Sequence, residues 1–74
     1  MPRLPAASGA QVVKALMQVG FVVDHVRSSH YVMYHADGRT TTVPVHGNRD
    51  IPRGTLRGIV RQAQLTVAEF LRLL

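Results

Sequence analysis

The chain has 74 residues, no cysteine, nine lysines and arginines against four acidic residues, and a formal charge of +5 with a pI near 11.2. A chain of this length builds one domain around one modest core. The missing cysteine excludes disulfides, thiolate metal sites and a cysteine nucleophile, and no apolar run approaches the roughly 20 residues of a membrane helix.

Residues 1–7, "MPRLPAA", carry two prolines and are expected to form a flexible lead to a single domain over residues 8–74. Ser8-x-x-Gln11 fits a capping box that opens a helix. Val12, Ala15, Leu16 and Val19 recur along it at helical spacing, and Gly20 supplies a left-handed stop. "FVVDHVR" (21–27), "HYVMYHA" (30–36) and "TTTVPV" (40–45) are short, β-branched segments that predict three strands. Ser28-Ser29 links the first two. Asp37-Gly38 links the last two, since a tight hairpin turn needs residues that tolerate positive φ. Pro44 lacks an N–H and places the third strand at a sheet edge. Beyond the polar loop "HGNRDIPRG", Leu56, Ile59, Val60 and Ala63 form the apolar stripe of a second helix, with Thr55 as its N-cap. Thr66-x-x-Glu69 caps a last helix, with Leu65 and Phe70 as a hydrophobic staple. The predicted fold is α+β, with helices on one face of a three-stranded antiparallel meander. Double-stranded-RNA-binding domains share this order, though order alone does not assign a function.

Charge gives the first functional hint. Eight of the nine cations are arginine, whose planar fork suits phosphate and carboxylate, so the expected partner is a polyanion or an acidic protein. The plain alternative is a solvated basic surface. Arg53, Arg57 and Arg61 are spaced by four, and the last two lie opposite the apolar stripe of the second helix. No signal-peptide pattern opens the chain, so a cytoplasmic location is expected.

Strand pairing locates the histidines. With Asp37 and Gly38 as the two loop residues, Ala36 faces Arg39, Val32 faces Val43 and His30 faces Val45. With Ser28 and Ser29 as the other link, Arg27 faces His30 and His25 faces Val32. Phe21, Val23, Val32, Val43 and Val45 then share the helix-covered face, with His30 at its rim. His25 packs against the helices and His35 faces solvent in this arrangement, while Tyr34 belongs to the core and Tyr31 to the outer sheet face. His46 reaches the same end of the sheet as His30 and Arg27. Imidazole changes charge near neutral pH, so it can take a proton from an attacking 2′-hydroxyl or give one to a leaving oxygen, while cations offset charge on phosphorus. Spacing alone equally allows His30 to close a strand with a backbone hydrogen bond and His46 to cap a turn. A metal site from His25, His30 and His35 is disfavoured, because odd spacing along a strand sends successive side chains to opposite faces.

Three segments, "VVKALMQVGFVV", "SSHYVMYHADGRTTTVPVHG" and "RGTLRGIVRQAQLTVAEFLRLL", together resemble the HicA (YcfA-like) toxins, RNA-cleaving partners of HicB antitoxins. The resemblance runs from about Gln11 to Leu74. It implies a double-stranded-RNA-binding-like fold, metal-independent mRNA cleavage without a cofactor, and a HicB-like antitoxin that covers the active surface. The functional histidine of the family's Gly-Ser-His motif carries over onto His30, and Ser29 matches the motif serine. Ser28 stands where glycine is usual; if that position requires positive φ, serine is strained there. The expected function is therefore a toxin endoribonuclease. His30 is its general acid or base, His46 and Ser29 assist, and Arg27, Arg39, Arg53, Arg57 and Arg61 hold phosphate. Two rivals use the same basic surface: a non-catalytic RNA-binding module, and a domain that recognises an acidic protein.

Overall fold

The computed structural model describes residues 3–74. Its elements are α1 (Gly9–Met17), β1 (Phe21–Arg27), β2 (His30–His35), β3 (Thr40–Pro44), α2 (Arg53–Gln62) and α3 (Val67–Leu73). The strands form one antiparallel sheet in the order β1-β2-β3, which leaves β3 at an edge as Pro44 requires. α1 packs on β1 and β3, α2 on β3, and α3 on α1. The architecture is the α+β one expected from the order of elements.

Local signals set most of the boundaries. Ser8 Oγ accepts the Gln11 N–H at 3.3 Å while Gln11 Oε1 accepts the Ser8 N–H at 2.8 Å. Thr66 and Glu69 repeat the same reciprocal box at 2.8 and 3.0 Å. Gly20 takes up a φ of 98° just past α1. The second helix departs from expectation by starting at Arg53, with Pro52 rather than Thr55 as its N-cap and no side-chain cap bond. Proline explains the shift: its fixed φ is already suited to a helix start, and its carbonyl accepts the Leu56 N–H at 2.9 Å.

The expected flexible lead is corrected from Leu4 onward; Met1 and Pro2 lie outside the described residues. Leu4 and Ala7 are buried in the core, the Ala7 carbonyl accepts the Ile51 N–H at 2.8 Å, and Ser8 forms an isolated antiparallel bridge with Asp50. Prolines stiffen the segment but do not keep its apolar residues in water, because the loop after β3 offers them a surface to cover.

The largest correction concerns the β2–β3 hairpin. The loop holds three residues, Ala36 to Gly38, not two: the His35 N–H donates to Arg39 O at 2.8 Å and the Gly38 N–H to His35 O at 2.9 Å. Gly38, with φ 101°, occupies the left-handed third position of such a loop. Asp37 fixes it by accepting the Arg39 N–H at 3.0 Å and the Arg39 Nε at 2.9 Å. The same guanidinium donates to Ala63 O at 2.5 Å, at the C-terminus of α2, and lies 5.2 Å above the Phe21 ring. The register is therefore His30↔Pro44, Tyr31↔Val43, Val32↔Thr42 and Met33↔Thr41.

The slip is of β2 against β3: Val43 stays on the covered face as expected, while every side chain of β2 turns to the other face. Met33 and Val43 are fully buried, Tyr31 packs against the core, and Tyr34 is 46% exposed, which reverses the expectation for both tyrosines. Thr41, drawn inward, satisfies its hydroxyl by donating to Gln62 Oε1 at 2.6 Å. His30 stands on the open face rather than at the rim of the covered one. His25, exposed and beside Asp24, does not pack against the helices. His35 turns toward the helices, 3.0 Å from Val19 O and edge-on to Phe21. On β1 the expected pairings His25↔Val32 and Arg27↔His30 hold, and a bulge between Val23 and His25 shifts the rest, so that Val23 faces Met33 and Phe21 faces His35.

Two outcomes test this frame. Met33→Ala should lower the free energy of unfolding by about 2–5 kcal/mol and Val32→Ala by no more than about 1 kcal/mol, measured by denaturant titration. The two-residue loop would reverse that order. The Asp37 carboxyl is held below its ordinary value first by the Arg39 N–H that it accepts; desolvation opposes this, and the charges of Arg39 and His35 lower it further. A depressed folded value means that the stabilisation is complete above the ordinary aspartate pKa of about 3.9 and fades as pH falls below it. The difference in melting temperature between the wild type and Asp37→Asn should stay constant above about pH 5 and close below about pH 4.

Candidate nucleic-acid interface

Ser28 and Ser29 make the turn that delivers His30 to the start of β2. Ser28 has a φ of 56°, in the left-handed region that favours glycine. Ser29 then reaches across the sheet end, its carbonyl accepting the Val45 N–H at 2.8 Å. That bond draws the exit of β3 toward the turn and sets His46 beside it, with Nε2 3.4 Å from Ser29 Oγ, a long contact that orients more than it binds. Across the ladder His30 is flanked by Arg27 on β1 and Pro44 on β3.

The His30 side chain is exposed and borders two shallow clefts. One, of about 390 Å³, is lined by His30, Pro44 and His46 together with Arg49, Asp50 and Thr55 from the following loop and the first turn of α2. The other, of about 300 Å³ on the open sheet face, is lined by His30 with His25, Arg27, Val32 and Thr42. A strand of polyanion crossing the sheet end would meet His30 from either side. Three imidazoles, a carboxylate, two hydroxyls and two guanidinium groups line the two clefts between them.

Of the expected residues, the fold brings together His30, His46, Ser29 and Arg27. Arg39 is removed from the set: Asp37, Ala63 O and the Phe21 ring engage its guanidinium, so it holds the hairpin and has no free fork for phosphate. Arg53 and Arg57 are exposed on α2 but line a different cleft, and Arg61, also exposed, lines neither. Arg49, Asp50 and Thr55 were not singled out in the sequence as parts of a site. For Arg49 and Asp50 the only signal is the polar loop "HGNRDIPRG", whose glycines and proline read first as turn formers, and Thr55 reads as a helix cap. Among the described residues no group of three or more histidine or acidic side chains is gathered closely enough to hold a metal ion.

With this geometry in place, comparison with known families becomes decisive. A family model described as the HicA toxin of bacterial toxin–antitoxin pairs matches residues 9–65. The chain belongs to the HicA toxin family. It is thus the toxin of a toxin–antitoxin pair, and an antitoxin is its partner. A search of curated proteins gave no match. The matched span takes in α1, the whole sheet and α2, and therefore both clefts around His30; it leaves out Arg3 and α3. No helix among the described residues is long and apolar enough to cross a membrane.

Ser28 is where this chain departs from the glycine of the family motif it resembles, and its positive φ shows what a glycine relieves. Ser28→Gly should raise the unfolding free energy by roughly 1 kcal/mol, with the gain in folded-state strain exceeding the added freedom of the unfolded chain. A drop in stability on thermal unfolding would show that the serine is not strained.

Proposed function

We propose that this HicA toxin is an endoribonuclease that cleaves mRNA by proton transfer through His30, without a metal or other cofactor. The observation that carries the reading is the position of His30: accessible on the open face, paired with Arg27, and sharing a cleft with a second imidazole. One imidazole takes the proton of a ribose 2′-hydroxyl, whose oxygen attacks the adjacent phosphorus. The bond to the 5′ oxygen breaks, and that oxygen leaves with a proton from the other imidazole. The products are a 2′,3′-cyclic phosphate and a 5′-hydroxyl end. His46 supplies or orients the second proton transfer, with Ser29 beside its ring. Arg27 offsets the charge that builds on the phosphoryl oxygens, and the arginines of α2 (Arg53, Arg57 and Arg61) attract the RNA backbone. The protein acts in the cytoplasm, and its antitoxin, a HicB-like protein, silences it by covering the His30 surface.

Expression of the wild type in a bacterial host should arrest growth and degrade transcripts, and His30→Ala should lower cleavage of a purified RNA by about 10²–10⁴-fold. Mapped 5′-hydroxyl ends and cyclic phosphates would identify the chemistry. Equal cleavage by both proteins would remove His30 from the mechanism. Salt-sensitive RNA binding without products would make the chain a non-catalytic RNA-binding module, and a stable antitoxin complex with no RNA affinity would make it a protein-interaction domain.

A further inference from the structure

A second basic cleft, of about 350 Å³, is lined by Arg3, Arg53 and Arg57, with Leu4 and Val67 as its apolar part. Among the described residues no carboxylate pairs with its charge. The sequence holds only four acidic residues, and each is placed elsewhere. Asp24 contacts His25, Asp37 holds Arg39, and Glu69 accepts the Thr66 N–H that caps α3. Asp50 lines the His30 cleft. Among the described residues no ion pair involves Arg3, Arg53 or Arg57. Three arginines line this one cleft, so their positive fields add there. An anion with several oxygens is the ligand that such a ring of planar forks accommodates.

We propose that the Arg3–Arg53–Arg57 cleft is a second phosphate subsite, which holds the RNA backbone away from the scissile bond. The proposal rests on the reading of the protein as an RNA-cleaving toxin and adds to it a residue, Arg3, and a minimum length of substrate. Nucleic acid is favoured over an acidic peptide by continuity. Pro52 and Thr55 line the His30 cleft, while Arg53, between them, and Arg57, one turn on, line this one. The first turn of α2 is the wall between the two, and at 5.4 Å per turn the clefts are close enough for one strand to pass over both. The N-terminal segment has a role in the site as well as in the core: burial of Leu4 and Ala7 anchors it and fixes Arg3 at the cleft.

The test uses the full chain carrying His30→Ala, so that RNA is bound but not cut, and fluorescence anisotropy with a labelled 20-nucleotide single strand. Adding Arg3→Ala should weaken binding by roughly 10-fold near 0.15 M salt and lower the slope of log affinity against log salt by about 0.7 for each phosphate that is no longer neutralised. Arg57→Ala should do the same, and a tetranucleotide should show a much smaller effect with either variant. If Arg27→Ala weakens binding and lowers the slope while Arg3→Ala and Arg57→Ala change neither, the subsite is overturned and the nuclease reading stands. If no form binds RNA, the nuclease reading itself fails. If Arg3→Ala and Arg57→Ala weaken only the antitoxin complex, the cleft is a protein-docking surface and the subsite is overturned.

Discussion

The hairpin loop that joins β2 to β3 decides where every side chain of β2 points, and one charged pair holds that loop in its three-residue form. Asp37 accepts the backbone N–H and the guanidinium of Arg39, and the guanidinium continues to the carbonyl of Ala63, the C-cap of α2, and to the face of Phe21. Arg39 thus joins the hairpin tip, the start of β1 and the end of α2. Its cation also stands where the negative end of the α2 dipole favours one. Because the period of a strand is two residues, this interaction places Met33 in the core and His30 on the open face together.

The opposite end of the sheet is organised by a single backbone bond. The carbonyl of Ser29 accepts from Val45, so the turn before β2 and the exit of β3 are held side by side. His30 and His46 belong to these two segments and share a cleft for that reason. α1 presses on the same place: a Cβ at Gly9 would overlap the Pro44 carbonyl and the Val45 Cα. The candidate chemistry therefore divides between strand and loop: Arg27 and His30 sit on β1 and β2, while His46, Arg49 and Asp50 come from the loop before α2.

Charge is distributed with a clear division of labour. The few carboxylates serve local geometry, as the Asp37 loop and the Glu69 cap illustrate, and both are held below their ordinary pKa by the N–H groups they accept. Most arginines are left facing water. A surface with this balance favours polyanions and acidic proteins alike.

The sequence alone determined what depends on neighbours three or four residues apart. Both capping boxes, the three strand segments, the stop at Gly20 and the Arg27–His30 pairing follow from local chemistry, and the motif around Ser29-His30 pointed to the residue that the fold exposes. Tertiary structure decided the rest. Asp-Gly suits a two-residue and a three-residue loop equally, and the choice was made by the reach of Arg39 to residues 18 and 24 positions away. The same interactions turned Arg39 from a phosphate ligand into a brace and exchanged the faces of Tyr31, Tyr34, His25 and His35. Leu4 entered the core only because the loop after β3 gave the N-terminal segment something to cover. Local pattern sets which elements form; distant burial and charge set which face of each element meets solvent.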